Sequence, residues 1–440
     1  MTMDEREMQL DITKQYNMPN NLSRKYLPDG ILIISVDTAN WVLLHNHEQE
    51  KIFDLLIAYS IEDVLNQLES SDLSLDDLLY VLTELEAKQF ESDKQKEQGL
   101  KSLNLYMTNK CNLCCRHCYM FAGTPLENEL QSNEILVLLK EFQRYGGCNL
   151  ILSGGEITNR EDLREIVSAA NELHLKTTLL TNGTDWPDDL VEYISDKVAE
   201  VQVSIDGYDE ESNSKIRGIG QFQRALDTVK RLFDKGVRVT VAVTPMYPID
   251  KVKYINFGKL LMDTFCSENF NIKFSYELMG GRDYSSTHID NEAYRKTVED
   301  IVEFIYPGNK LEKFALNHKN KMLFSNCGYG ALTVAADGGV FFCNRVSDLK
   351  CYGNIRDMTF EKIAQLADKI CVLSDVDNLM PCKDCNLKYI CGGGCRIAYV
   401  PSILQADPYS ELVFQREGCS ESDRIKLYNK MIAANHLFYW

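Results

Sequence analysis

Long apolar runs are missing from this 440-residue chain. No stretch approaches the ~20 consecutive apolar residues that a bilayer-spanning helix needs, so no membrane span is expected. The start, Met1-Thr-Met-Asp-Glu-Arg-Glu-Met8, lacks both the basic n-region and the apolar h-region of a secretory signal, which points to the cytoplasm. Bases are also in deficit. With 47 Lys and Arg against 65 Asp and Glu, the net charge of −18 argues against the basic surface that nucleic-acid phosphates require. No glycine-rich phosphate loop and no serine–histidine arrangement stands out, so nucleotide hydrolysis and triad chemistry have no support.

What is abundant is cysteine. Fifteen of them in a reducing compartment do not suggest a disulfide framework, and metal ligation becomes the leading explanation. The acidic excess is uneven: residues 1–100 hold 20 acids against 8 bases, so two-thirds of it lies in the first quarter of the chain. That quarter reads as a separate module. Residues 30–36 and 40–45 are short aliphatic runs around Asp37-Thr38-Ala39, a hairpin pattern. Ser74 is an N-cap with Asp77 three residues later, ahead of the stripe Leu75, Leu78, Leu79, Leu82 and Leu85. Strands followed by helices over this length suggest a small winged-helix fold at 29–95, after an N-terminal extension, 1–28. Polar, aperiodic Glu91–Gly99 reads as a linker.

From Ser102 onward strands and helices alternate. The strand candidates are Leu103–Met107, Asn149–Leu152, Thr177–Leu180, Glu200–Ile205, Arg238–Val243 and Asn271–Tyr276. Repeated βα units give an α/β fold with a parallel sheet, open or curved into a barrel, and chemistry at the carboxyl ends of its strands. Just after the first of them stand Cys111, Cys115 and Cys118 in C-x3-C-x2-C spacing; Cys114 is off-register and reads as a bystander. Three thiolates leave one iron of a four-iron cluster open to an outside ligand.

This loop resembles the signature of the radical S-adenosylmethionine (SAM) superfamily, whose barrel is a partial (β/α)6 form, here spanning 96–310. The resemblance implies that methionyl amino and carboxylate groups chelate the open iron. Gly154, Gly155 and Glu156 are similar to the family's GGE motif, which holds the cofactor's ammonium group, and glycine permits close backbone approach. Asn182 ends the third strand and joins the cofactor contacts. By the same match Ser204 lies near the ribose, Arg217 reaches the cofactor carboxylate, and His117 and Val243 pack near adenine.

Farther on come Cys327, Gly338 and Cys343, then Cys382-x2-Cys385-x5-Cys391-x3-Cys395, then Cys419. Read alone, the C-x2-C pair also fits zinc. The whole set resembles the cysteine-rich SPASM domain of peptide, quinone-cofactor and sulfatase maturases, here at 311–425 ahead of a C-terminal helix, 426–440. That match implies two auxiliary [4Fe-4S] clusters beside the SAM-binding one, three in all. Cys327, Cys343 and Cys395 would bind the first, and Cys382, Cys385, Cys391 and Cys419 the second. Several relatives carry a further cysteine where this chain has Thr333, which leaves the first auxiliary cluster open to a substrate thiolate, to water or to Cys351. Cys148, Cys266 and Cys371 have no partner spacing and read as buried small hydrophobes.

In peptide-modifying relatives a winged-helix recognition element binds the leader of a ribosomally made precursor through its third strand and helix, and residues 29–95 resemble it. The acidic charge then predicts a partly basic leader bound by strand addition. The resemblance implies a flavodoxin- or ferredoxin-type reductant and a crosslinking peptide maturase, with a cysteine thioether of the sactipeptide or ranthipeptide kind as first choice. A carbon–carbon peptide cyclase, a sulfatase-type maturase and a nonenzymatic iron–sulfur electron carrier are the alternatives.

Overall fold

Residues 30–34 and 41–44 are apolar at every position but Gly30, without the alternation of a half-exposed strand, and both faces of the sheet they form are covered. In the computed structural model, which describes residues 11–91, 101–282, 289–319, 322–346, 349–401 and 414–438, they build β2 (Gly30–Ser35) and β3 (Asn40–Leu44). Ile33 pairs with Val42 across an antiparallel ladder. Ile31, Ile33, Val42 and Leu44 pack on α1 (His47–Ala58) and α3 (Leu75–Lys88), with α2 (Ile61–Leu68) alongside. Leu32, Ile34, Trp41 and Leu43 pack instead on Phe314, Leu387 and Met431 from the far end of the chain.

Two features of this module differ from the expectation. A further strand, β1 (Leu22–Leu27), pairs antiparallel with β2, so the sheet begins at Leu22 and the boundary at 29 falls inside it. Leu75 and Leu79 are exposed, and the buried stripe of α3 is Leu78, Val81, Leu82 and Leu85. Ser74 does cap α3, accepting from the Asp77 amide at 3.1 Å. Most of the expected linker, residues 92–100, lies outside the described residues.

The six strand candidates form β4 (Lys101–Tyr106), β5 (Gly147–Ser153), β6 (Lys176–Thr181), β7 (Glu200–Ser204), β8 (Val239–Val243) and β9 (Phe270–Phe274), all parallel and paired in chain order. The crossovers carry α4 (Ser132–Arg144), α5 (Leu163–Glu172), α6 (Asp188–Ile194), α7 (Glu210–Arg217), α8 (Gln221–Asp234) and α9 (Lys251–Thr264). This is the expected (β/α)6 arrangement, open between β9 and β4. Its amphipathic helices bury residues such as Ile166, Val229 and Leu261 against Leu105, Leu152 and Val241.

After α10 (Asn291–Ile305) and α11 (Asn309–Lys319), the chain returns to the β4 edge with β10 (Leu332–Val334) and β11 (Val340–Phe341). β10 pairs parallel with β4, extending the sheet to eight strands. Cysteine-bearing loops and α12 (Phe360–Ser374), α13 (Lys388–Cys391), α14 (Arg396–Tyr399) and α15 (Glu421–Ala434) complete the fold. The boundaries placed at 311 and 426 fall inside α11 and α15, because those helices bridge the cysteine-rich region and the N-terminal sheet. Among the described residues no helix is long and apolar enough to cross a membrane.

Candidate active site and cysteine centres

The ladder between β4 and β5 continues beyond the strands. Met107 N–H donates to Ser153 O at 2.8 Å, Gly155 N–H to Thr108 O at 2.7 Å and Glu156 N–H to Lys110 O at 2.9 Å. A Cβ at Gly154 would lie 2.4 Å from Thr108 O, and one at Gly155 2.3 Å from Lys110 O. Glycine is therefore required here by the approach of two backbones, which roots the cysteine loop on the end of β5. Glu129, passed over in the sequence, holds the same root by accepting from Thr108 Oγ1 at 2.8 Å and Asn109 N–H at 2.7 Å.

Above this root a cavity of about 630 Å³ opens at the carboxyl ends of the strands. Cys111, Cys115, His117, Cys118, Gly154, Gly155, Asn182, Ser204 and Arg217 all line it. Cys114 is exposed and takes no part in the lining.

Two expected contacts are placed otherwise. Val243 is buried in the core and the next residue, Thr244, lines the cavity. Glu156 is wholly buried and accepts from Thr181 Oγ1 at 2.6 Å, Asn182 N–H at 2.7 Å and Thr158 N–H at 3.2 Å. Its carboxylate fixes the Thr181–Asn182 corner instead of facing the cavity. Burial raises its pKa, and these hydrogen bonds oppose the rise.

Asp206 also lines the cavity, and the sequence shows it only as part of Ser204-Ile-Asp206-Gly207. It is 1% exposed and pairs with Arg217 Nε at 2.6 Å and His117 Nε2 at 3.1 Å. Thr244 N–H donates to it at 2.8 Å. Burial works against its charge, but the Arg217 and His117 partners outweigh burial and hold it below the usual carboxylate range. Arg217 is thus anchored through Nε, with Nη1 3.9 Å from Cys115 Sγ, and His117 is held by an acid at the cavity wall.

The three thiols suit iron. Burial pushes Cys111 up to about 11 and raises Cys115, so a bound cation is what would ionise them. Leu113 N–H donates to Cys111 Sγ at 3.4 Å, a contact that would favour a ligating sulfur.

In the C-terminal region Cys382, Cys385, Cys391 and Cys419 surround a second cavity of about 130 Å³. Cys327 and Cys395 are neighbours: the hydrogen bond Cys327 gives to Cys395, and burial, push Cys327 up, while the same hydrogen bond holds Cys395 down. Cys343 senses the same Cys395. Among the described residues no three cysteine, histidine or acidic side chains close on a single ion. Wider-spaced thiols fit a cluster whose irons are separated by bridging sulfides. Thr333 is wholly buried in β10, its Oγ1 accepting from Asn104 Nδ2 at 3.3 Å. Cys351 Sγ lies 3.1 Å from Gly353 O, beside the β10–β11 turn. Cys266 and Cys371 are exposed and Cys148 is half-buried, so the expectation that these three are core residues does not hold. Cys148 sits at the start of β5, Cys266 just past the end of α9, and Cys371 on α12 with its Sγ toward Tyr329 O.

Residues 105–256 match the Radical SAM superfamily. The sporulation killing factor maturation protein SkfB of Bacillus subtilis is 34% identical over 145 residues, covering 32% of this chain and 35% of that protein. The chain thus spans about a third of that relative's length. The Fe-coproporphyrin III synthase of Methanosarcina barkeri is 26% identical over 72% of this chain and 89% of its own. SuiB of Streptococcus suis, in a crystal structure with its precursor peptide SuiA, shares the fold at a TM-score of 0.54 and 17% identity, over 91% of this chain and 99% of SuiB. Three cysteines at the mouth of a parallel barrel, the family match over β4 to α9 and these likenesses agree: residues 105–256 are a radical SAM domain.

Proposed function

We propose that this protein is a radical SAM maturase that crosslinks a ribosomally made precursor peptide, a cysteine sulfur-to-carbon thioether being the bond formed. The observation that carries the reading is the convergence of Cys111, Cys115 and Cys118 with Asn182, Ser204 and Arg217 on one cavity, in a chain that also gathers four thiols around a second. Cys111, Cys115 and Cys118 would hold the first [4Fe-4S] cluster. Cys327, Cys343 and Cys395, and the set Cys382, Cys385, Cys391 and Cys419, would hold two more. When bound, the first cluster and SAM supply a 5′-deoxyadenosyl radical able to remove hydrogen from carbon. The chain's own residues do the positioning: Asp206 fixes Arg217 and His117, and Glu156 fixes Asn182.

The peptide reading draws on the likeness to SkfB, a maturation protein, and on the acidic N-terminal module. Strand addition to β3 meets an obstacle there. The Leu43 N–H donates to Glu84 at 2.7 Å and the Leu43 C=O accepts from Tyr80 at 3.0 Å, so a leader strand must displace both side chains or use another surface. A second reading, synthesis of an iron tetrapyrrole, is favoured by the alignment along 89% of the Fe-coproporphyrin III synthase. Anaerobic protein with dithionite and SAM should release 5′-deoxyadenosine, and Cys115→Ala should abolish it. Adding a cysteine-containing precursor should yield a peptide lighter by two hydrogen atoms. SAM-dependent formation of Fe-coproporphyrin III or another iron tetrapyrrole, with the peptide left unchanged, would overturn the peptide reading.

A further inference from the structure

Arg396 is wholly buried, yet no carboxylate forms an ion pair with it among the described residues. Its guanidinium is held only by carbonyls: Nε donates to Ser374 O at 2.7 Å, Nη2 to Ser325 O at 3.1 Å, and Nη1 to Gly392 O at 2.9 Å and Gly394 O at 2.6 Å. Arg416 takes the remaining glycine carbonyl, donating from Nε to Gly393 O at 2.9 Å. It too lacks an ion-pair partner among the described residues, and its Nη1 is buried without a hydrogen bond.

All three carbonyls of Gly392, Gly393 and Gly394 are therefore turned to guanidinium groups. The three residues share a left-handed backbone, with φ of +67°, +74° and +73°. A Cβ on the middle one would lie 2.9 Å from Arg396 Nη1. This turn joins Cys391, of the four-thiol set, to Cys395, of the other. Arg396 also reaches that other set through its backbone, since its N–H donates to Cys327 Sγ at 3.4 Å. Arg416 lines the four-thiol cavity itself.

A buried cation without an anion is costly, and carbonyl dipoles offset only part of the cost. The charges that would bear on it most are thiolates: Cys327, whose Sγ accepts the Arg396 N–H, and Cys382 come ahead of Asp375, the foremost carboxylate. We infer that Arg396 and Arg416 are the built-in counter-cations of the auxiliary clusters, Arg396 serving both and Arg416 the second, and that they raise the clusters' reduction potentials. They are positioning residues, because both also orient the turn between the clusters. The inference rests on the reading that these cysteines hold clusters. A fixed cation favours the reduced cluster, which carries one more negative charge than the oxidised one.

The test uses full-length protein carrying Cys111→Ala, Cys115→Ala and Cys118→Ala, so that only auxiliary signals remain in a potentiometric titration followed by electron paramagnetic resonance. Iron and sulfide are measured on each sample. Arg416→Gln, which keeps a donor for Gly393 but removes the charge, should retain parental iron. It should lower the reduced-to-oxidised ratio of one signal about tenfold at fixed potential, about 59 mV for one electron. Arg416→Lys should stay near the parent, and Arg396→Gln should move both signals. Should Arg396→Gln fail to fold, Arg416→Gln carries the test alone. Parental potentials in Arg416→Gln with full iron would overturn the inference and leave the cluster reading standing. A parent that binds no iron at these sites would overturn both.

Discussion

Asp206 shows how a single residue organises the cavity wall. It is buried between Arg217 and His117, and it reaches β8 through the Thr244 amide. Removing one partner of a buried charge pair leaves the other uncompensated, at a cost of about 3–5 kcal/mol. Asp206→Asn should therefore lower stability by an amount of that order, read as a lower urea midpoint, and release Arg217 from its fixed pose, with SAM-dependent 5′-deoxyadenosine formation falling more than stability alone explains. A variant as stable and active as the parent would remove Asp206 from the site. The cysteines of the first loop, Gly154, Gly155 and Asn182 were legible as lining of the cavity because their spacing and their place at strand ends carry the signal. Asp206, Glu129 and the two arginines of the glycine turn were not. An acid or a guanidinium is common at any surface, and only the folded chain shows that these are buried and what they face.

At the scale of elements, the turn of the hairpin that extends the barrel sheet is tied to α4 through a guanidinium, Arg356 Nη1 donating to Asp337 O at 3.3 Å. Arg356 clasps Glu134 at the start of α4 through Nε at 2.6 Å and Nη2 at 2.9 Å, and its Nη1 donates to Asn128 O at 3.0 Å. The Arg356 hydrogen bonds draw Glu134 down to about 2 from an ordinary 4.5. A depressed carboxylate contributes stability that is present above its unfolded pKa and lost as pH falls through the folded one. Arg356→Ala should thus be less stable than the parent at pH 7, and the difference should shrink between about pH 4.5 and about 2, read from urea midpoints across that range. A gap independent of pH would show that the clasp works through packing instead. The six barrel strands were readable from β-branched runs between helical stretches, within one or two residues at each end. β1 escaped notice because Ser23, Arg24 and Lys25 make it polar, as suits a strand at the sheet edge. The stripe on α3 shifted for a tertiary reason: Val81 was turned inward by the sheet, leaving Leu75 and Leu79 exposed.

Across the whole molecule, the two ends of the chain are locked together by a charge pair with no exposure at all. Lys88 and Glu84, one turn apart on α3, pair at 2.8 Å in complete burial. Lys88 also bonds Asn435 beyond α15, and Asn435 Nδ2 donates to Glu84 Oε1 at 2.9 Å. Trp41 and Phe438 lie against the same ammonium group. Glu84 in turn caps the β3 edge at Leu43, so the N-terminal module, its β3 edge and the helix that follows the second cysteine set share one polar knot. Nothing in the local sequence announces this, since a Glu and a Lys four apart usually mark a solvated helix face. Lys88→Met should cost about 3–5 kcal/mol by stranding Glu84, whereas Lys88→Met with Glu84→Gln should recover much of the loss, because a buried pair replaced at both ends no longer leaves a bare charge. Hydrogen exchange localises the damage. In the single variant, protection should fall in β3 and in α15 together, as the two ends part at their shared interface; loss confined to α3 would mean that the pair stabilises its own helix and does not join the termini.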